Sequence, residues 1–391
     1  MSTQSQLSPI EAARNLVPLI TAEADRIERE QRVPAAIVQA LADAGLFKLL
    51  APKRYGGAET DLVTFARATE AIATADASVA WCMSQANGTV MRMAWAQPEV
   101  ARTIVTPHLA VLASGTGPLP QIRAVAVPGG YRVTGEWGFA SGGHHSTWMC
   151  AEARLYHTDE SPELLPDGKH RTRIMLFPQE VVSWRETWQV IGLRGTGSDT
   201  YSVTDLFVPE DHTLHDVTDR PLERGTLYCF PIRAAYSAGF ASVACGIVRV
   251  MLDTFEDVAQ GKQPRAGFTV LKNNAVVQSQ VARAEAILGA ARAYMHQTLH
   301  EAWEFAAANG ELSVEQRVRV RLATTHCIQQ AAQAGDMMHM AAGATAVFQS
   351  SPFDRRFRDL HAVTGHVQGH QLHYETAGQF FLGLDPDRAW I

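Results

Sequence analysis

Residues 130–142 read Gly-Tyr-Arg-Val-Thr-Gly-Glu-Trp-Gly-Phe-Ala-Ser-Gly. Polar and apolar side chains alternate through the first eight of these residues, which is the pattern of a strand with one buried face. Further runs rich in β-branched and aromatic residues, separated by Gly, Pro, Asp and Ser, occur at 148–155, 172–177, 184–191 and 200–208. The sequence therefore predicts a compact β domain over residues 109–225.

The segments on both sides of this domain have helical patterns. Apolar residues recur at helical spacing from Ile10 to Ile20, and Ala-rich helices are predicted over 34–44, 62–73 and 77–93. After Pro231, long Ala-rich stretches predict helices typical of a bundle, over 234–260, 272–308, 313–342 and 361–381. We therefore expect an α+β protein with an N-terminal helical domain over 1–108, the β domain, and a C-terminal helical bundle over 226–391.

Composition argues against several classes of function. The net charge of -6 over 391 residues argues against a nucleic-acid-binding protein, which normally carries a basic face. The five cysteines contain no CxxC pair, which favours reduced thiols. Neither a signal-peptide pattern nor an apolar run of membrane-spanning length is present, so we expect a soluble cytoplasmic protein without a membrane partner.

Four histidines lie close together near the C-terminus, at His361, His366, His370 and His373. Histidine can exchange a proton near neutral pH, so this segment is the first candidate for a reaction centre. On a continuous helix the last three would share one face. Taken singly, each also fits an ordinary interfacial histidine. His366 and His370 form an HxxxH pair, but no Glu follows the first His as HExxH requires, and we expect no metal site.

Several short motifs occur in an order that resembles the acyl-CoA dehydrogenase superfamily. They are Tyr55-Gly56-Gly57, the segment 135–142, Gly195-Thr196-Gly197-Ser198, Val208-Pro209 and Arg358-Asp359. In that superfamily an N-terminal helical domain, a middle β-barrel-like domain and a C-terminal four-helix bundle enclose a flavin. The resemblance covers essentially the whole chain and implies the same fold.

The segment after Arg358-Asp359 points to one branch of the superfamily. Dehydrogenases commonly place a carboxylate base there, where this chain has His366. A histidine at this position resembles two-component flavin monooxygenases, whose members include p-hydroxyphenylacetate hydroxylases, dibenzothiophene monooxygenases and indole or indole-acetate oxygenases. The resemblance implies reduced FAD or FMN from a separate NAD(P)H:flavin reductase, O2 as co-substrate, and hydroxylation of a small phenolic or indolic compound through a flavin C4a-hydroperoxide. It also implies a homotetramer.

The resemblance assigns catalytic roles to three residues. His366 is the predicted acid or base acting on the substrate. His370 is the second choice, because a shift of a few residues in the matching would exchange the two. Ser141 is predicted to lie near flavin N5, where its hydroxyl can donate or accept a hydrogen bond.

The predicted cofactor contacts come from three separate segments. Trp137 is predicted either to present its indole to the flavin or to pack within the sheet. Ser141 and Gly142 follow it, and Thr196 and Ser198 lie in a Gly-rich stretch whose backbone can approach the flavin or its phosphates. Arg265 is at the position where relatives pair an arginine with the cofactor pyrophosphate of a neighbouring subunit, although a surface role is equally compatible.

Three alternatives remain open from sequence. The first is an acyl-CoA dehydrogenase with a displaced base such as Glu256, which would bind oxidised flavin tightly. The second is a monooxygenase of the same fold that oxidises nitrogen or sulfur. The third is a binding or assembly protein that uses neither flavin nor oxygen.

Overall fold

The computed structural model describes residues 7–117, 119–158, 161–214, 220–263 and 269–391. The predicted pyrophosphate contact at Arg265 lies outside these residues. In the described N-terminal part the α-helices are α1 (Pro9–Glu30), α2 (Ala35–Asp43), α3 (Leu62–Ala75), α4 (Ala77–Val90) and α5 (Pro98–Val105).

Local capping explains where the N-terminal helices begin. Ser8 and Glu11 form a capping box at the start of α1. The carboxylate of Asp76 accepts a hydrogen bond from the backbone amide of Val79 and so fixes the first turn of α4. Nearly every side chain of α4 is buried, which makes it the central helix of this part of the molecule.

The middle of the chain forms one mixed sheet. Its order is β7-β8-β3-β2-β4-β6-β9, with β1 and β5 also paired to β4. The strands are β1 (Leu112–Ser114), β2 (Arg123–Val127), β3 (Gly130–Trp137), β4 (Trp148–Thr158), β5 (Ser161–Pro162), β6 (Thr172–Pro178), β7 (Ser183–Arg185), β8 (Thr200–Pro209) and β9 (Thr213–Leu214). Because β3 and β8 are antiparallel, with Trp137 opposite Tyr201, the loop that leaves β3 and the loop that enters β8 lie side by side.

The C-terminal helices are α6 (Ile232–Gly261), α7 (Ala275–Asn309), α8 (Val314–Ala342), α9 (Pro352–Thr364) and α10 (Leu372–Phe381). Helix α6 is long and apolar enough to span a membrane by composition. However, 83% of its apolar window is buried inside the protein, as in a core helix. Helix α6 packs on α3, α4 and α8 and so connects the two helical regions.

The helix predicted over 361–381 is interrupted in the structure. Helix α9 ends at Thr364, a short 3-10 turn covers Val367–Gly369, and α10 begins at Leu372. The Nδ1 atoms of His366 and His370 accept hydrogen bonds from the backbone amides of Gln368 and Leu372, which replace helical bonds. A Cβ at Gly369 would lie 2.9 Å from Ile328 on α8, so the chain approaches α8 too closely for a larger residue without adjustment. The shared helical face of the three histidines therefore does not form.

Candidate active site

Helices α4 and α6 bring two aromatic rings into a stacked pair. Trp81 and Phe240 lie parallel, with ring centroids 3.9 Å apart, and both side chains are buried. The helices can approach this closely because glycines face the neighbouring helix: a Cβ at Gly239 would overlap Ser84, and one at Gly88 would overlap the ring of Tyr236. The pair forms a rigid apolar wall inside the molecule.

His366 lies against this wall. Its ring meets Trp81 edge-on at 5.3 Å and Phe240 at 4.7 Å between centroids. Burial, with a smaller effect of the Arg321 charge, lowers the pKa of His366 to about 4, so the imidazole is neutral at pH 7. Since Nδ1 accepts from the backbone amide of Gln368 at 3.2 Å, the proton of the neutral ring is on Nε2. His366 therefore presents an N–H donor.

A series of hydrogen-bonded hydroxyl groups starts at the indole N–H of Trp81. The indole Nε1 donates to Ser141 Oγ at 3.1 Å, Ser141 Oγ lies 2.7 Å from Ser198 Oγ, and Ser198 Oγ lies 2.7 Å from Thr196 Oγ1. Thr196 Oγ1 donates to the carbonyl of Leu193 at 2.8 Å. These groups are buried, and we call the series Trp81, Ser141, Ser198, Thr196 the hydroxyl relay.

The two loops that carry the relay are fastened to each other by their backbones. The amide of Gly142 donates to the carbonyl of Thr196, and the amide of Ala140 donates to the carbonyl of Asp199. The Asp199 carboxylate accepts from His144 at 2.8 Å and from the amides of Thr187 and Trp188. Although burial acts to raise it, the pKa of Asp199 is lowered by these hydrogen bonds. The relay is thus held at fixed geometry.

The predicted flavin contact of Trp137 is wrong. Its side chain is 0% exposed, its ring stacks on Tyr201 at 5.1 Å, and its Nε1 donates to the carbonyl of Glu152. The indole fills the sheet interior, which was the alternative interpretation. Two residues later, Phe139 adopts a left-handed φ of 56° and its side chain is 64% exposed beside Trp188. Phe139, which sequence reasoning missed, is the aromatic side chain that can cover a flat ligand.

His370, the second choice for the catalytic histidine, is exposed, its Nδ1 accepts from the backbone amide of Leu372 at the first turn of α10, and its catalytic role remains a prediction. Glu256 is exposed on α6, about 24 Å along the helix from Phe240. Glu256 is therefore too far from the site around His366 to serve as its catalytic base. His144 is paired with Asp199, while His145 is packed against Phe47 and borders a cavity of about 180 Å³ with Arg32, Thr196 and Gly197. Among the described residues, no group of three or more His, Cys, Asp or Glu side chains could hold a metal ion.

Arg321, whose charge acts on His366, has a second arginine, Arg233, nearby. Arg321 on α8 is 3% exposed, and it donates to the carbonyl of Trp390 at 2.7 Å and to the side chain of Gln368. Arg233 at the start of α6 is exposed, with its guanidinium 4.4 Å from the ring centroid of Trp390. Burial, together with the nearby Arg233 charge, lowers the pKa of Arg321 to about 9. Positive charge is therefore concentrated here.

A third arginine, Arg92, lies close to Arg233. Its Nε is buried without a hydrogen-bond acceptor among the described residues. The carboxylate of Glu152 is near both arginines and that of Asp387 is near Arg233, and the two partly offset the charge of the arginines. Together with Arg321, these side chains make this region of the site electropositive.

Sequence reasoning missed Trp81 and Phe240 as well as Phe139. Trp81 and Phe240 lie in Ala-rich stretches whose pattern indicates only a buried helix. Their contacts with Ser141 and His366 join distant parts of the chain. The one available signal was the position of Phe139 within the motif 135–142.

This chain belongs to the acyl-CoA dehydrogenase superfamily. The family model for the acyl-CoA dehydrogenase N-terminal domain matches residues 4–110, and the model for the C-terminal domain matches residues 238–371. Within this superfamily the chain resembles flavin-dependent monooxygenases over nearly its full length.

The relatives are named as follows. The chain is 29% identical to indole-3-acetate monooxygenase of Pseudomonas putida, over 92% of this chain and 90% of that protein. It is 27% identical to the oxygenase subunit HsaA of the flavin-dependent monooxygenase from Rhodococcus jostii strain RHA1, over 96% and 94% of the two chains. The solved structure of XiaF from Streptomyces sp. in complex with FADH2 and glycerol superimposes with a TM-score of 0.88 at 25% identity, over 97% and 96% of the chains.

Proposed function

We propose that this protein is the oxygenase component of a two-component flavin monooxygenase that hydroxylates a small aromatic compound with reduced flavin and O2. The observation that carries the proposal is the half-buried, neutral His366 on the wall of Trp81 and Phe240, where dehydrogenation would need a carboxylate base. Relatives that are named as monooxygenases align with nearly the entire chain and support the proposal.

The residues around the relay fit a flavin. A flat ring system against Phe139 and Trp188 would cover apolar surface that is otherwise exposed, and Ser141 would supply a polar contact beside it. Gly142 would let the backbone approach the ring closely, while Thr196 and Ser198 would act through Ser141. When bound, the reduced flavin supplies the two electrons with which one oxygen atom of O2 enters the product and the other leaves as water.

We propose one role for the apolar wall of Trp81 and Phe240 and another for His366. Trp81 and Phe240 exclude water, which limits the wasteful release of hydrogen peroxide. His366 donates its Nε2 hydrogen to the substrate's electron-donating oxygen or to oxygen being transferred, and so orients the ring. Because Nδ1 is occupied by the Gln368 amide and the pKa is low, His366 acts here as a neutral hydrogen-bond donor, whereas the sequence predicted an acid or a base.

The arginines favour a substrate with an anionic arm. A buried guanidinium beside a second arginine is stabilised by an anion, and Arg233 lies near both Arg92 and Arg321, while the charge of Arg321 also acts on His366. An aryl-acetate such as indole-acetate would place its ring at His366 and its carboxylate toward these side chains. Indole itself lacks that carboxylate and should bind more weakly.

We also propose a separate NAD(P)H:flavin reductase as partner, a homotetramer, and a cytoplasmic location. Exposed apolar side chains in the C-terminal region support self-association, namely Met340, Val347, Phe348, Leu382 and Leu384. Light scattering on the purified protein gives the oligomeric state directly.

The experiment that tests the proposed function is a single-turnover reaction under 18O2. The protein is mixed anaerobically with reduced FMN or FAD, then with 18O2 and indole-acetate, indole or a phenol. We expect a product that gains one 18O atom, with fragmentation placing it on the ring and not on nitrogen or sulfur. His366→Ala should release mostly hydrogen peroxide, whereas the matched variant His370→Ala, at an exposed histidine, should behave as the wild type.

Two results would contradict the proposal. One is hydrogen peroxide as the sole oxygen product with every aromatic in the panel. The other is reduction of a bound oxidised flavin by an acyl-CoA, which would instead identify a dehydrogenase.

A further inference from the structure

We infer that the hydroxyl relay has one fixed direction, set by Thr196 and Ser198, and that this direction makes the site prefer reduced over oxidised flavin. The inference rests on the proposed function, since it requires a flavin at Ser141. Thr196 and Ser198 are positioning residues in this account, because they act on the flavin only through Ser141.

The direction of the relay follows from its two ends. The carbonyl of Leu193 can only accept, so the Thr196 hydroxyl donates its single hydrogen there. Thr196 must then accept from Ser198, which has one hydrogen to give. Ser198 in turn accepts from Ser141. At the other end the indole N–H of Trp81 can only donate, and it donates to Ser141. With the hydroxyl hydrogens pointing from Ser141 to Ser198, from Ser198 to Thr196 and from Thr196 to the Leu193 carbonyl, every one of these hydrogen bonds forms, and no other arrangement achieves this.

Ser141 is consequently left with an acceptor and no donor. Its only hydrogen points to Ser198, and one of its lone pairs receives the Trp81 N–H, so the remaining lone pair is what it offers a ligand. Reduced flavin carries a hydrogen on N5 and can donate to that lone pair. Oxidised flavin has a bare N5 lone pair, which would face the Ser141 lone pair without a bond.

Reversing the relay to suit oxidised flavin is costly in this environment. If Ser141 donated to the flavin, Ser198 would donate to Ser141 and Thr196 to Ser198, leaving two lone pairs 2.8 Å apart at the Leu193 carbonyl. Ser141, Ser198 and Thr196 are at most 7% exposed, so water cannot readily replace the lost bond. The carbonyl itself keeps its bond from the Trp188 indole, so the penalty falls on the relay.

Binding of the two redox states tests this inference without any turnover. Dissociation constants for dithionite-reduced and oxidised FMN and FAD are measured anaerobically by equilibrium dialysis, and their ratio is compared between variants. Wild type should bind the reduced form more tightly. In Thr196→Val, Ser198 is free to donate toward Ser141, so the preference should shrink about tenfold, the order expected for one hydrogen bond. Ser198→Ala frees the Ser141 hydrogen and should shrink it similarly.

Two controls separate direction from damage. Thr196→Ser keeps the hydroxyl and should retain the wild-type ratio. Thr74→Val removes a comparable threonine bond to the Ala71 carbonyl in α3, outside the relay, and should also leave the ratio unchanged. A preference for reduced flavin that survives unchanged in both Thr196→Val and Ser198→Ala would overturn the inference while leaving the proposed function intact. Absence of flavin binding by the wild type would reject the proposed function itself.

Discussion

At the scale of single residues, the chemistry of His366 depends on which ring nitrogen is free. Burial lowers its pKa to about 4 and the Gln368 amide occupies Nδ1, so the neutral Nε2–H form persists across the physiological range. We therefore expect the fraction of flavin oxidation that yields product to be flat between about pH 6 and about pH 8, and to fall only as the pH approaches the lowered value. Product and peroxide are quantified together at each pH.

A variant that keeps a donor sharpens this prediction. His366→Asn retains an N–H group and should preserve more product formation than His366→Ala, roughly tenfold for one charge-neutral hydrogen bond in the site. An inflection near the usual histidine pKa that disappears in His366→Asn would instead mean that the imidazolium form takes part.

The sequence predicted part of this constellation and not the rest, for physical reasons. Ser141, Thr196, Ser198 and His366 lie in recognisable short motifs, and the structure brings the first three into one hydrogen-bonded series. Trp81 joins that series across 60 residues of sequence, so no local pattern indicates it. Trp137 was left open between flavin contact and sheet packing, because strand alternation gives the buried face without distinguishing a sheet interior from a ligand pocket.

At the scale of elements, strands were predicted best where they are long. Strand β3 was predicted with its observed bounds, whereas the strand predicted over 184–191 survives only as Ser183–Arg185. The amides of Thr187 and Trp188 donate to Asp199 in place of a neighbouring strand, a tertiary contact that outweighs the local pattern. The predicted domain limits at 108 and 225 remain predictions.

The break between α9 and α10 gives a prediction at this scale. Gly369→Ala places a methyl group 2.9 Å from Ile328, so one of the two segments must shift, and we expect a loss of about 1–3 kcal/mol in unfolding free energy. The same shift displaces the turn that holds the His366 ring, so product formation should fall in favour of peroxide. Urea unfolding and product yield are measured on the same preparation.

Gly378→Ala is the matched control for that experiment. Gly378 lies within α10, where an added Cβ would meet nothing within 4 Å. The alanine should leave product yield unchanged and raise stability by about 0.5–1 kcal/mol, because it lowers the entropy of the unfolded chain. Equal behaviour of the two variants would mean that contact with α8 does not shape the break.

At the scale of the whole molecule, buried neutral histidines make stability depend on pH. His373 is fully buried and donates from Nε2 to the carbonyl of Val367, and burial, with the nearby Arg321 charge, lowers its pKa to about 4. A histidine in the unfolded chain has a pKa of about 6.5, so below that pH the unfolded chain binds a proton at His373 that the folded chain does not bind. As the pH falls from about 6.5 toward about 4, His373 alone should therefore lower the unfolding free energy by about 1.4 kcal/mol for each pH unit.

Variants isolate the contribution of His373 from those of other buried histidines. His373→Gln should be less stable than wild type at about pH 7.5, yet its stability should fall less steeply on acidification. His370→Gln, at the exposed neighbour, should keep the wild-type slope. Parallel slopes for wild type and His373→Gln would show that this ring titrates alike in both states.

The distribution of charge over the molecule leads to the last prediction. The chain carries a net charge of -6, so an anionic substrate is repelled at long range and must be recognised by a local concentration of positive charge. Arg233 is the exposed member of the group with Arg92 and Arg321, so Arg233→Gln removes charge without emptying the core. We expect this variant to raise KM for indole-acetate by about tenfold at low salt, with a smaller effect at high salt, and to leave KM for indole unchanged. Arg319→Gln removes another exposed arginine, which pairs with Glu315 on α8, and it should affect neither substrate. If Arg233→Gln raised both KM values equally, the arginine would be supporting Trp390 and the shape of the site, and the substrate would not need an anionic arm.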